Sequence, residues 1–187
     1  MHKFNIKSIE KLDNPERRRI MPPEETLAKF NIKDDGTLLD IGCGIGYFTI
    51  PAVNLVKNHK VIGIDIVREI LEVAEERAKG ISNIEFRQSE EYSFPVENNS
   101  IKYSFICNVI HEIEDKEMYL NEIERVLLEG GYLLIIDWDK KEMPVGPPIN
   151  DRISKNEMIE LCNSTGLKFI GDIDVSSNNY GLILKKV

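Results

Sequence analysis

The chain has 187 residues, of which 42% are hydrophobic and 30% charged, with a net charge of −8. This is the profile of a folded globular protein with room for one ordinary domain, not of a disordered chain. Residues 1–36 carry eight Lys and Arg against seven Asp and Glu, so the remainder holds −9, a balance that disfavours a nucleic-acid backbone as partner.

No apolar run is long enough to span a bilayer, and MHKFNIKSIEK does not read as a signal peptide. The three cysteines, Cys43, Cys107 and Cys162, are widely spaced and suit a reducing cytoplasm. They predict neither a disulfide framework nor a Cys-based zinc or iron–sulfur site.

In chain order, residues 1–30 predict one or two amphipathic helices outside any sheet. The second starts at Pro22-Pro23-Glu24-Glu25, where proline and acids suit a helix N-terminus. Short β-rich runs follow at 37–41 (TLLDI), 60–65 (KVIGID), 84–88 (IEFRQ), 101–107 (IKYSFIC) and 131–138 (GYLLIIDW). Helical patterns lie between them near 46–57, 67–79 and 116–128. Gly80 is the expected C-cap of the second, Asp115 the N-cap of the third and Gly130 its stop. A helix at 154–165, opened by Ser154 and followed by Gly166, leads to LKFIGDIDV and NNYGLILKKV. The turn-rich stretch 176–179 is too short for a crossover, so these two runs should pair antiparallel. Strands alternating with helices imply right-handed crossovers and a doubly wound α/β sheet with one reversed strand, in a single domain over 1–187.

The glycines of TLLDIGCGIGYFTI lie just after the first strand, where open α/β sheets bind ligands. A phosphate-binding P-loop needs Lys-Ser/Thr after its glycines, and Gly46 is followed by Tyr47-Phe48. A dinucleotide loop reads G-x-G-x-x-G, and this one is a residue shorter. Asp65 ends the second strand 23 residues after Gly42, suited to accept the hydroxyls of a ribose or to cap the next helix. The third strand is followed by the acidic turn Gln88-Ser89-Glu90-Glu91, and the fourth by Cys107-Asn108-Val109-Ile110-His111-Glu112. Loop glycines and acids at successive strand ends point to a nucleoside.

Taken together, LLDIGCGIGYFTI, VIGIDI, RQSEEYSFPVENNSI, CNVIHEIED and LLEGGYLLIIDW resemble a class I S-adenosylmethionine-dependent methyltransferase, in the small-molecule, ubiquinone/menaquinone-methyltransferase-like branch. The resemblance covers residues 25–187. It implies a Rossmann-like seven-stranded sheet, mostly parallel with the last strand antiparallel, helices on both faces, and an N-terminal helical lid (1–30) over a core (31–187). It further implies S-adenosylmethionine as cofactor. Asp40 and the backbone of Gly42, Cys43 and Gly44 would hold its methionine end. Asp65 would take the ribose hydroxyls, Ile66 would flank the adenine, Ser89 and Glu90 would meet the adenine amino group, and the backbone of Asn108 would lie near the sulfonium. Ser89-Glu90 departs from the family's usual Gly-Asp, and Glu reaches a methylene further.

Methyl transfer by in-line attack needs orientation above all, so no nucleophile–base pair has to show in the sequence. Tyr47, His111, Asp137 and Trp138 are the candidates for contact with the acceptor. His111 is the candidate catalytic base, with a structural capping role as its alternative. Trp138, the only tryptophan, either walls the acceptor pocket or serves packing alone. Cys107 reads as a buried core thiol. His111-Glu112-Ile113-Glu114-Asp115 lacks the second histidine of H-E-x-x-H, so no metal is expected. Asn108-Val109-Ile110-His111 lacks the proline pair of relatives that methylate nucleic-acid bases, which with the charge leaves a small-molecule acceptor. Residues 1–30 and the 139–150 loop would close over it. The rival readings are a non-catalytic S-adenosylmethionine-binding protein and an NAD(P)-dependent oxidoreductase. Oligomeric state has no signature in the sequence.

Overall fold

The computed structural model describes residues 12–187, and the part of the expected N-terminal lid that falls on residues 1–11 lies outside them. Seven strands build a mostly parallel α/β sheet with one strand reversed, and the chain divides into two compact units, Met1–Pro95 and Val96–Val187.

In the first unit, β1 (Leu38–Ile41), β2 (Val61–Asp65) and β3 (Ile84–Gln88) run parallel in the order β3-β2-β1. The register sets Asp40 beside Gly63 and Asp65 beside Gln88. β1 is buried at every position, and β2 at all but its last residue, as near-continuous apolar strands covered on both faces must be. Helices α1 (Pro15–Ile20) and α2 (Pro23–Ala28) start as their sequences require. Asn14 accepts the Arg17 N–H at 2.9 Å, and Pro23 occupies a first-turn position whose N–H would have no helical partner.

After β1 the chain forms α3, which is only Thr49–Ala52 and much shorter than the expected 46–57. Pro51 has no N–H to give, Phe48 provides no capping side chain, and the chain beyond tightens into three-residue bonds such as Asn54 N–H to Pro51 C=O and Leu55 N–H to Ala52 C=O. Helix α4 (Arg68–Arg77) buries Ile70, Leu71 and Ala74 and packs against β2 and β3. It ends at Arg77 with Ala78 as its C-cap, which corrects the expected cap at Gly80, two residues further on at φ +90°.

The second unit holds β4 (Ile101–Cys107), β5 (Leu127–Trp138), β6 (Leu167–Asp174) and β7 (Asn179–Lys186) in the order β4-β5-β7-β6. β4 and β5 are parallel, whereas β7 runs antiparallel to both β5 and β6. Helix α5 (Lys116–Val126) is capped by Asp115, which accepts the Met118 N–H at 2.9 Å. Helix α6 (Lys155–Ser164) opens with a reciprocal capping box between Ser154 and Glu157.

The expected helix stop at Gly130 is corrected. The helix ends at Val126 and β5 begins at once, four residues earlier than the sequence suggests, with Gly130 (φ +71°) inside the strand. The register between β4 and β5 slips after Ile101, and a Cβ at Gly131 would sit 2.8 Å from the Leu128 carbonyl oxygen, so the glycine pair accommodates an irregularity in the sheet. Buried Lys186 closes the end of α5 by donating to the Glu124 and Leu127 carbonyls at 2.9 and 3.0 Å. All three cysteines are unbridged, and among the described residues no helix is long and apolar enough to cross a membrane.

Candidate functional site

In the first unit, the chain leaving β1 turns through Gly42, Gly44 and Gly46 at φ +69°, +54° and +80°, backbone that side-chain-bearing residues rarely adopt. The amides of Gly42 and Cys43 both donate to the Ile64 carbonyl, at 2.8 and 2.9 Å, and that of Gly44 donates to Asp65 Oδ2 at 3.0 Å. The other carboxylate oxygen of Asp65 accepts the Val67 N–H at 3.0 Å, so Asp65 joins the loop to the start of α4. These three N–H groups are engaged inside the protein and are not free to hold a phosphate.

The neighbouring side chains point the same way. Asp40 is buried and its Oδ2 accepts from Thr49 Oγ1 at 2.5 Å. Burial and the charge of Asp65 push its carboxyl up to about 7, against the pull of the Thr49 bond and of Arg17. Burial also raises Asp65, while the amides of Val67, Gly44 and Ile66 hold it down in part. A buried carboxyl and a half-buried one that raises it, both shifted toward neutrality, form a site that a cationic ligand relieves. The residues present therefore fit S-adenosylmethionine.

Ile66 projects beyond β2 with 56% of its surface exposed, an apolar face beside Asp65. Ser89 donates its N–H to the Asp65 carbonyl at 3.0 Å, and the N–H of exposed Glu90 meets the Ser93 carbonyl at 3.1 Å in a tight turn. The Cys43 thiol is buried toward Gly63, away from reactive chemistry, and burial drives its pKa far up. Tyr47 is buried too. Its hydroxyl donates to the Met21 carbonyl at 2.9 Å, and the Arg17 guanidinium lies 4.3 Å from its ring centre. A groove of about 590 Å³ in this unit is lined by Arg18, Tyr47, Lys57, Arg77 and Asn83 and contains none of these acids.

The second unit gathers the remaining candidates at the carboxyl ends of β4 and β5. His111 sits in a single 3₁₀ turn, Ile110–Glu112, with its Nδ1 2.7 Å from Asp137 Oδ1. Both side chains are almost wholly buried. Asp137 also accepts the main-chain N–H of His111 at 3.3 Å and of Trp138 at 2.8 Å. Burial lowers the His111 pKa, but the bond and charge of Asp137, with the charges of Glu112 and Asp151, outweigh it and leave the imidazole above its ordinary value. Asn108 takes φ +57° and accepts from Asn179 Nδ2 at 3.0 Å.

Thr49, Asn179 and the pairing of His111 with Asp137 are absent from the sequence reading. The pairing had a signal, because Asp137 lies at the carboxyl end of β5 and His111 just beyond the same end of the adjacent parallel strand β4. Among the described residues no cluster of three His, Cys, Asp or Glu could hold a metal ion.

A Rossmann-like sheet with an acid-lined glycine loop after its first strand defines a nucleoside-binding enzyme class, the S-adenosylmethionine-dependent methyltransferases. Residues 32–184 match the family model described as a methyltransferase domain, and the chain belongs to that family; its cofactor is S-adenosylmethionine. It is similar to the crystal structure of a SAM-dependent methyltransferase from Aquifex aeolicus, at 31% identity and a TM-score of 0.91, covering 99% of this chain and 100% of that one. Demethylmenaquinone methyltransferase from Staphylococcus carnosus (strain TM300) is 30% identical over 69% of this chain and 52% of its own length. The same enzyme from Staphylococcus haemolyticus (strain JCSC1435) is 29% identical over 65% and 52%. The chain thus spans about half the length of the curated relatives it matches.

Proposed function

We propose that the protein methylates a small-molecule acceptor whose reacting atom carries an ionisable proton, such as a phenolic O–H or an activated C–H. The observation that supports this reading best is the buried His111–Asp137 pair. Asp137 holds the proton on Nδ1, which leaves Nε2 as the free base of a neutral imidazole. Nε2 then takes the acceptor's proton, and Asp137 steadies the imidazolium that results.

Bound S-adenosylmethionine supplies an electrophilic methyl on a sulfonium, displaced in line with a neutral thioether leaving. Asp40 and the carbonyls of Gly42, Cys43 and Gly44 receive the cofactor's ammonium end. Asp65 accepts from the ribose hydroxyls, Ile66 offers its apolar surface to the adenine, and Ser89 with Glu90 meets the adenine amino group. Asn108 lines the route to the methyl through its main chain, and Asp137 and Trp138 border the acceptor. Tyr47 acts through the N-terminal segment it anchors at Met21, and that segment forms the lid. Leu12 supports this role, since its Cδ1 lies 3.6 Å from where a Cβ would stand on Gly44.

The similarity to demethylmenaquinone methyltransferases makes hydroquinols the first acceptors to try. The test is incubation with methyl-labelled S-adenosylmethionine and either demethylmenaquinol or fractionated metabolite extract. Label in a small-molecule product supports the reading. Label only in macromolecules, or tight cofactor binding with no transfer to any fraction, overturns it in favour of another acceptor class or a cofactor-binding protein.

A further inference from the structure

Arg152 is 5% exposed, yet among the described residues its guanidinium bonds to no carboxylate. Its partners are four main-chain carbonyls of the loop after β5. Nε donates to Pro147 at 2.8 Å, Nη1 to Lys141 at 2.7 Å and Asp139 at 3.4 Å, and Nη2 to Val145 at 3.0 Å. A buried cation is tolerated only when its donors are satisfied, and here a loop folds its backbone around the charge to satisfy them. With every guanidinium nitrogen engaged in this way, Arg152 is not a receptor for an anionic ligand.

What the loop does with that shape is visible at Gly146. The carbonyls on either side of it, those of Val145 and Pro147, are both held by Arg152. Gly146 itself has φ +89° and lies so close to Trp138 that a Cβ there would stand 2.9 Å from Cε3 and 3.0 Å from Cδ2 of the indole. Trp138 in turn donates its N–H to the same Asp137 oxygen that bonds His111.

We propose that Arg152 is a positioning residue that clamps the chain at Gly146 against the indole of Trp138, and so fixes the acceptor-facing wall that continues from Asp137. The 139–150 loop is then a preformed wall and not a flap that closes on the acceptor. The acceptor-facing part of this proposal rests on the function proposed above, but the clamp itself is testable without any acceptor.

Trp138 is the only tryptophan, so intrinsic fluorescence reports this wall directly. Arg152→Met removes the donors, and Arg152→Lys keeps the charge without the planar fork that reaches four carbonyls. Both are expected to shift Trp138 emission to longer wavelength and to raise its acrylamide quenching about twofold, as a released loop exposes the ring. S-adenosylhomocysteine affinity should stay unchanged, since neither Arg152 nor Gly146 is among the residues proposed to hold the cofactor. Gly146→Ala should give the same optical signature with Arg152 in place, which keeps the test available if the arginine variants fail to fold. Unchanged emission and quenching in folded Arg152→Met or in Gly146→Ala would overturn the clamp. A failed methyl-transfer screen with these optical changes intact would overturn only the proposed function. With an acceptor in hand, KM should rise more than kcat falls in Arg152→Lys; the reverse would place Arg152 in the chemical step and overturn a positioning role.

Discussion

The amide of Gly44 donates to Asp65 Oδ2 across 3.0 Å, so the tip of the glycine loop and the end of β2 hold each other in place. Removing the carboxylate withdraws both the proposed ribose acceptor and the brace under the loop. Asp65→Ala is expected to weaken S-adenosylhomocysteine binding by more than about tenfold, or roughly 1.4 kcal/mol. Asp65→Asn, which keeps an oxygen for Gly44, should lose less. Calorimetric titration checks both, and an undiminished affinity in the alanine variant would move the ribose elsewhere.

The His111–Asp137 pair predicts a pH profile. The base works when neutral, so the rate should climb with pH through a midpoint above the ordinary histidine value of 6.5. Asp137→Asn keeps an oxygen that can accept from Nδ1 but removes the charge that helps to raise the imidazole. The midpoint should therefore move to lower pH while the plateau falls by about a hundredfold or more. Histidine-labelled NMR reads the first effect in the absence of any acceptor. The stability that the charged imidazolium gains from Asp137 is present below pH 6.5 and is lost as pH rises through the folded-state midpoint.

Asp40 gives the same direction of pH dependence from a different cause, the cost of burying its charged form. With its carboxyl raised from 3.8 to about 7, the folded protein holds a proton that the unfolded chain releases, so stability should fall as pH rises across that window and level off above it. Asp40→Asn keeps an oxygen for Thr49 and removes the charge. It should flatten the slope and make the variant more stable than the parent at pH 8, by at most on the order of 4 kcal/mol. Cofactor affinity should fall in the same variant, and in the parent it should increase with pH until about 7. Thermal unfolding at pH 5 and pH 8, with titrations at both, checks the pair of effects.

Gly63 lies in the middle of β2, where a Cβ would stand 2.7 Å from the Phe86 ring and 3.0 Å from the Cys43 sulfur. Gly63→Ala forces one of these apart within a packed core and is expected to lower stability by about 1–3 kcal/mol. Urea unfolding measures the loss. A neutral result would mean that the ring turns aside freely.

Features legible in the sequence were those encoded by short-range pattern. Asn14, Asp115 and Ser154 are capping side chains that satisfy N–H groups three residues ahead, so they are readable wherever a helical period follows. Of these, Asp115 and Ser154 mark helix starts that the sequence reading placed, and the antiparallel pairing of β6 with β7 followed from a turn too short for a crossover. Gly130 was misread because a helix stop and a strand irregularity demand the same left-handed glycine. Only the partner strand at Ile101 distinguishes them. In the candidate site, Asp65 was singled out by its place at a strand end and Asp40 by the family resemblance, whereas the charge of Asp65 acting on Asp40 had no signal in the sequence. Arg152 could not be singled out at all. A lone arginine between a loop and a helix looks like a surface cation until four carbonyls are seen to converge on it.

β7 lies between β5 and β6 although it follows both in the chain, which decouples the order of synthesis from the order of assembly in the second unit. β6 is made first but reaches the sheet only through β7, and β5 must keep its outer edge open meanwhile. Pairing of Asn179–Lys186 closes two hydrogen-bonded seams and brings Asn179 to Asn108 and Lys186 to the end of α5. β7, made after both of its neighbours, completes this part of the sheet from within, as a keystone and not as an edge.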